Sequence, residues 1–151
     1  MYINNLITGT MTLGSGGSTP ATRADTRFWT SNNENEYVDV PIEGELNSTT
    51  FSYGPMAYKI EIGSSVTSIG DFAFSGCTNL TSVTIPNSVT NIGADVFYEC
   101  SYLANITLEG KNKTTVQGMT NYPFGLDNAN DNGVTIHCTD EEIVIQHMSP
   151  L

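Results

Sequence analysis

The residues with the most chemical potential are three cysteines (Cys77, Cys100, Cys138), two histidines (His137, His147) and an acid- and asparagine-rich run from Asp127 to Glu142. A zinc site wants closely spaced ligand pairs such as CxxC, and cysteine spacings of 23 and 38 supply none. His137 and Cys138 are adjacent, but a thiol nucleophile and its base must meet in space. Neighbours on a strand point to opposite faces, so the pair reads as strand residues, one in and one out, and His147 as solvated. The run NANDNG at 128–133 alternates like a calcium loop, yet the first and twelfth slots hold Asn128 and Thr139 where an EF-hand needs Asp and Glu. A turn-rich loop explains it better, with a low-affinity cation site from Asp127, Asp131, Asp140, Glu141 and Glu142 as the weaker alternative. No GxSxG elbow, P-loop or dinucleotide fingerprint occurs, and GSGG at 14–17 lacks a strand–helix context. The expectation is therefore no catalytic residue, no metal site and no cofactor.

Two of the cysteines recur for a different reason. Residues 60–82 (IEIGSSVTSIGDFAFSGCTNLTS) are repeated at 83–105 (VTIPNSVTNIGADVFYECSYLAN). Val66 and Val89, Ile69 and Ile92, Gly70 and Gly93, Phe74 and Phe97, Cys77 and Cys100, and Leu80 and Leu103 are each 23 residues apart. A fixed period of this size means stacked units, none able to bury its apolar face alone. Stacking would set Cys77 and Cys100 about one strand spacing apart, ~4.8 Å. That separation permits a disulfide, but free cysteine packs as a small hydrophobe, and a buried thiol column is the favoured reading.

The elements that hold these positions follow from apolar alternation. Ile60/Ile62, Val83/Ile85 and Ile106/Leu108 mark one strand per unit, and Val66/Ile69 and Val89/Ile92 a second. GDFAFSGC and GADVFYEC are too short for free helices and read as turns with a helical bend, with Gly70 and Gly93 expected at positive φ. Pro86 and Asn87 mark a corner. A degenerate first coil begins at Tyr37, with VDV at 38–40 a strand and Leu46 and Phe51 each 23 before Ile69 and Phe74. After Leu108 the period breaks: Val134/Ile136 lie 28 after Ile106/Leu108, Phe124 takes the place of Phe97, and VTIHCTD and EEIVIQH read as closing strands. The resulting expectation is a mainly β, short, capped solenoid of about four 23-residue coils over 37–151, with apolar columns Ile62–Ile85–Leu108, Ile69–Ile92, Phe74–Phe97 and Leu80–Leu103. Residues 1–36 read as an N-terminal extended arm and linker: weak alternation over 1–13, flexible GSGGSTP at 14–20, and a polar stretch whose Trp29 caps the core or sits in an interface.

Bulk composition narrows the partners. The chain has 151 residues, five Lys plus Arg, sixteen Asp plus Glu, and a net charge of −11. Nucleic acids and anionic membranes both need clustered cations, and Arg23, Arg27, Lys59, Lys111 and Lys113 are scattered. No apolar run reaches the ~18 residues of a membrane span. The segment MYINNLITGTMTLGSGG lacks the basic and apolar regions of a secretory signal, leaving removal of a signal or release on a lytic phage particle.

The pattern SVTSIGDFAFSGCTNLTSVTIPNSVTNIGADVFYEC resembles the BspA-like leucine-rich repeat family. Unit 60–82 matches its landmarks through Ile69, Gly70, Ala73, Phe74, Cys77 and Leu80. Unit 83–105 departs at Val96, where the family has alanine, and Glu109 stands where Pro86 would recur. The clear likeness covers 60–109 and, with degenerate ends, 37–147. Members of that family occur on bacterial and protozoan surfaces as adhesins and in gut-phage genomes, so the resemblance implies a non-enzymatic structural or recognition module. The favoured expectation is a phage virion protein (fibre, tail or capsid decoration) anchored to a protein partner by its arm, with possible homo-oligomers. The alternative is a bacterial cell-surface or secreted adhesin that binds host protein or glycan. The surface candidates are Tyr98, Tyr102, Asn121, Tyr122 and Asn128, residue types that give contact area and adaptable hydrogen bonds.

Overall fold

The computed structural model describes residues 11–13 and 25–148; the GSGGSTP linker, the rest of residues 1–24 and residues 149–151 lie outside the described residues. The chain is mainly β with little helix. Its strands are β1 (Met11–Leu13), β2 (Thr26–Trp29), β3 (Glu36–Val40), β4 (Gly44–Leu46), β5 (Lys59–Glu61), β6 (Val66–Ile69), β7 (Ser82–Ile85), β8 (Asn91–Ile92), β9 (Asn105–Leu108), β10 (Val134–His137) and β11 (Glu142–Ile145), with one short helix, α1 (Lys113–Gln117).

Among the described residues these form two sheets: eight strands in the order β1-β3-β2-β5-β7-β9-β10-β11, and three in the order β4-β6-β8. Strands from successive repeats pair in parallel at the spacing of the repeat. Ile60 opposes Val83, which opposes Ile106, and Leu46 opposes Ile69, which opposes Ile92. Between the sheets lies one apolar core. Phe51, Phe74 and Phe97 run through it as a column, each neighbouring pair of ring centroids 5.9 Å apart. Cys77, Cys100, Leu80 and Leu103 are likewise buried.

The cysteines are free thiols; Cys100 Sγ lies 3.0 Å from the Phe74 carbonyl oxygen, to which it donates. A hydrogen bond with Cys100, then burial, holds the Cys77 thiol far above its ordinary value. Both are packing residues, at most 1% exposed, and burial keeps either sulfur from reaching a substrate.

Four sequence-based expectations change in detail. First, Gly70 and Gly93 are not at positive φ; that conformation falls two residues on, at Phe72 (57°) and Asp95 (52°). Gly93 is required by crowding instead: a Cβ there would lie 2.5 Å from the Asp71 backbone nitrogen of the preceding coil. Second, β10 meets β9 with Ile136 opposite Ile106, so the last step is 30 residues and not 28. A slip of two leaves the in–out alternation intact, which is why apolar pattern could not separate the two registers. Third, the residues inserted in that step include α1, whose first turn is capped by Asn112 accepting from Thr115 N at 2.8 Å.

Fourth, residues 26–29 and Glu36, read as part of an arm, belong to strands of the large sheet. Strand β2 lies antiparallel between β3 and β5, and Phe28 opposes Ile60 in the core. Trp29 points to the other face and does not cap the core. There it packs on Tyr37 with centroids 5.5 Å apart. Lys59 Nζ sits 4.7 Å over Trp29, and Arg27 Cζ sits 4.2 Å over Tyr37, so two of the chain's few cations roof its outward aromatics.

Candidate functional site

The turn segments between strands are tied to one another by their backbones. Phe72, Phe74 and Gly76 donate to the carbonyls of Ala94, Val96 and Tyr98 in the next coil, at 3.0, 3.0 and 2.8 Å. One coil further on, Phe97 and Glu99 donate to Phe124 and Asn128 at 3.0 and 3.1 Å. This second set brings the 98–102 loop against the 126–132 loop. Beyond it the C-terminal segment closes in: Met148 N donates to Asp127 O at 2.8 Å, and His147 Nε2 lies 3.3 Å from Asp131 Oδ1. His147 is thus part-buried against a loop, not solvated.

Two adjoining clefts open between these segments. One, of about 290 Å³, is lined by Ser101, Tyr102, Ala129, Asn130, Asp131 and Asn132. The other, of about 400 Å³, shares Ser101, Ala129 and Asp131 and adds Gly76, Thr78, Glu99, Asn128 and His147. Asn130 shapes the wall of the first cleft, since its buried side chain donates to Leu103 O at 3.1 Å and accepts from Asn132 N at 2.9 Å. That Asx turn accounts for the calcium-like spacing of the run. Tyr102 is 68% exposed and stands at the rim.

Of the surface candidates, Tyr102 and Asn128 line the clefts. Tyr98 is exposed but lines neither. Asn121 and Tyr122 serve the fold. In earlier coils Leu46 O and Ile69 O accept from Gly70 N and Gly93 N at 2.9 and 2.8 Å; in the third coil Ile92 O accepts from the Asn121 side chain at 3.1 Å. Tyr122 packs edge-on against Phe124, centroids 5.8 Å apart. Ser101 was not anticipated, and Asp131, Asn132 and His147 were read only as a cation-site alternative, a turn and a solvated residue, because loops distant in sequence bring them together.

The acids of 127–142 have separate employments. Asp140 accepts from Lys113 N and Glu141 N at 2.9 and 2.8 Å, which lowers its pKa, and Glu142 pairs with His137 at 3.0 Å. No group of three or more His, Cys, Asp or Glu among the described residues is placed to hold a metal ion. Ser101, His147 and Asp131 share a cleft, but Ser101 Oγ contacts Glu99 O at 3.5 Å and the Asp131 side chain is 90% exposed. An exposed acid cannot orient an imidazole as a buried one does. His137 and Cys138 form no pair either, since His137 contacts Asn105 Oδ1 at 2.8 Å and Glu142. No helix among the described residues is long and apolar enough to cross a membrane.

The model of the BspA type leucine rich repeat region (6 copies) matches residues 44–130, more than half of the chain. The chain belongs to the BspA-type leucine-rich repeat family. The match starts at β4 and ends in the cleft-forming loop, so the β2–β3 and β10–β11 hairpins flank it. No curated protein and no solved structure matches. Leucine-rich repeats of this type are in general non-enzymatic modules that bind proteins.

Proposed function

We propose that the chain is a short solenoid, capped at each end by an antiparallel hairpin, that works as a non-enzymatic protein-binding module displayed on a phage virion. The observation that carries the reading is where the repeat's landmarks lie. Phe74, Phe97, Cys77, Cys100, Leu80 and Leu103 are each at most 1% exposed. The residues that define the family are thereby consumed by packing, and the positions free to vary face outward.

The residues that precede β2 supply the attachment in this reading. The supporting feature is that β1, the described strand nearest the chain's start, lies at the outer edge of the large sheet. An edge strand offers unpaired backbone groups to a partner. Deleting residues 1–20 from the gene in its native genome tests the role. The expected result is a chain that still folds, with a cooperative melt by circular dichroism lowered by no more than the loss of edge strand β1, and that is missing from purified particles. Undiminished incorporation refutes the anchoring role. Recovery of the intact chain from host-cell envelopes and never from particles refutes virion display and favours a cell-surface adhesin.

A further inference from the structure

We propose that the paired clefts at the C-terminal end of the repeats bind a neutral sugar, with Tyr102 as the stacking surface. This goes beyond the protein-partner reading, and either can fail without the other. Three features of the clefts select the ligand.

The first is charge. Neither cleft is lined by a lysine or arginine, while Glu99 and Asp131 each contribute a carboxylate. With a net charge of −11 on the whole chain, phosphorylated, sulfated or acidic ligands are repelled. The second is polarity. Hydroxyls of Thr78 and Ser101, amides of Asn128 and Asn132 and the two carboxylates converge on the clefts. These supply donors and acceptors for a ligand dense in hydroxyl groups, each of which both donates and accepts. An apolar ligand would strand them without partners.

The third is which groups are already used. Asn130 spends its side chain on Leu103 O and Asn132 N, and Asn121 spends its own on Ile92 O. By contrast, the side chains of Glu99, Asn128 and Asn132 hydrogen-bond to no other described residue. Tyr102 meanwhile leaves 68% of its surface in water beside them. A pyranose has an apolar C–H face and a polar rim. Laying that face on Tyr102 removes apolar surface from water, and the rim hydroxyls then reach the carboxylate and amides. Volumes of about 290 and 400 Å³ fall at the small end of ligand-site sizes, which suits one or two sugar rings.

The test is amide NMR on the full-length, isotope-labelled chain, titrated separately with glucose, galactose, mannose and N-acetylglucosamine to about 50 mM, ample for a millimolar site. At least one sugar should shift the amides of 101–102 and 128–132. Tyr102→Ala and Asn128→Ala should each weaken that binding about tenfold, and raising the salt should leave it unchanged, because no charge is neutralised. Melting temperatures close to that of the parent confirm that the variants fold. The proposal is overturned by silence to all four sugars, by shifts confined to other residues, or by undiminished binding in Tyr102→Ala. It is equally overturned if an oligolysine peptide shifts these amides in a salt-sensitive way while the sugars do not, since that would make the clefts a seat for a basic partner.

Discussion

Truncating Phe97 to alanine is the most direct probe of the repeat stacking. Phe97 is fully buried, its ring lies 5.9 Å from that of Phe74 at 21° between planes, and its backbone nitrogen is bonded to Phe124 O in the following coil. Removing the ring takes on the order of 120 Å² of apolar surface out of the core, worth about 3 kcal/mol at ~25 cal/mol/Å². Loss of ring–ring contact adds about 0.5–1.5 kcal/mol. The total falls in the ~3–5 kcal/mol range of buried Phe→Ala changes. Against a global stability of about 5–15 kcal/mol that is a large fraction, equivalent to a drop in Tm of about 6–20 °C. Urea unfolding followed by circular dichroism reads it directly, with an unchanged m-value as the sign that only stability moved. Phe97→Leu should cost less than about 1.5 kcal/mol because most of the volume remains. In a double-mutant cycle, Phe74→Ala and Phe97→Ala should couple by about 0.5–1.5 kcal/mol. A Phe97→Ala cost within about 0.5 kcal/mol of zero would refute the stacking argument, because only a surface site tolerates that change.

Three further outcomes follow from the same packing. Gly93→Ala should destabilise by about 2 kcal/mol or more in a urea titration, because its Cβ meets the Asp71 and Gly70 backbone at 2.5 and 2.7 Å; Gly76→Ala, with φ of 74° and open space around it, should cost only about 1–2 kcal/mol. In a native thiol titration with Ellman's reagent, Cys77 and Cys100 should stay silent and Cys138 react slowly, since burial and then Asp140 push its thiol up; denaturant should release three thiols per chain, and two fast thiols in the native protein would contradict the burial. Burial lowers Lys111 below its ordinary 10.5, so the folded chain binds fewer protons there than the unfolded chain between that lowered value and 10.5. Stability should therefore rise with pH through that window, and Lys111→Met should flatten the slope of the urea midpoint against pH; an unaltered slope would show that Lys111 is not the group responsible.

Period and alternation made the stacked core legible from residues alone. Leu46, Ile69 and Ile92 fall in register, and the two closing strands pair as a hairpin. What escaped was set by contacts the pattern does not encode. The 30-residue step to β10 keeps the same faces as a 28-residue step, so only the backbone register distinguishes them. Strand β2 is four residues, TRFW, in polar surroundings, and its place is fixed by β3 and β5 pairing on either side. Asn112 before KTTVQ was a readable helix cap, but a five-residue helix carries too little periodicity to announce itself. Of the residues that type alone singled out as surface candidates, Tyr102 and Asn128 line the clefts. Type could not separate them from Asn121 and Tyr122, whose side chains are spent on Ile92 and Phe124.

The position of the clefts has a physical cause in the backbone ladder. Each interior turn segment donates to the next coil: residues 72, 74 and 76 to 94, 96 and 98, then 97 and 99 to 124 and 128. The 126–132 loop has no further repeat to donate to, because β10 and β11 turn the chain back as an antiparallel hairpin. Its polar groups must find other partners. Asn130 finds them in Leu103 O of the preceding coil and in Asn132 N of the loop, and Asp127 O finds Met148 N of the C-terminal segment. Asn128 and Asn132 keep their side chains for whatever enters the clefts. A terminal coil is thus the place where a repeat protein has hydrogen-bonding capacity left over, and here that capacity lies beside the exposed ring of Tyr102.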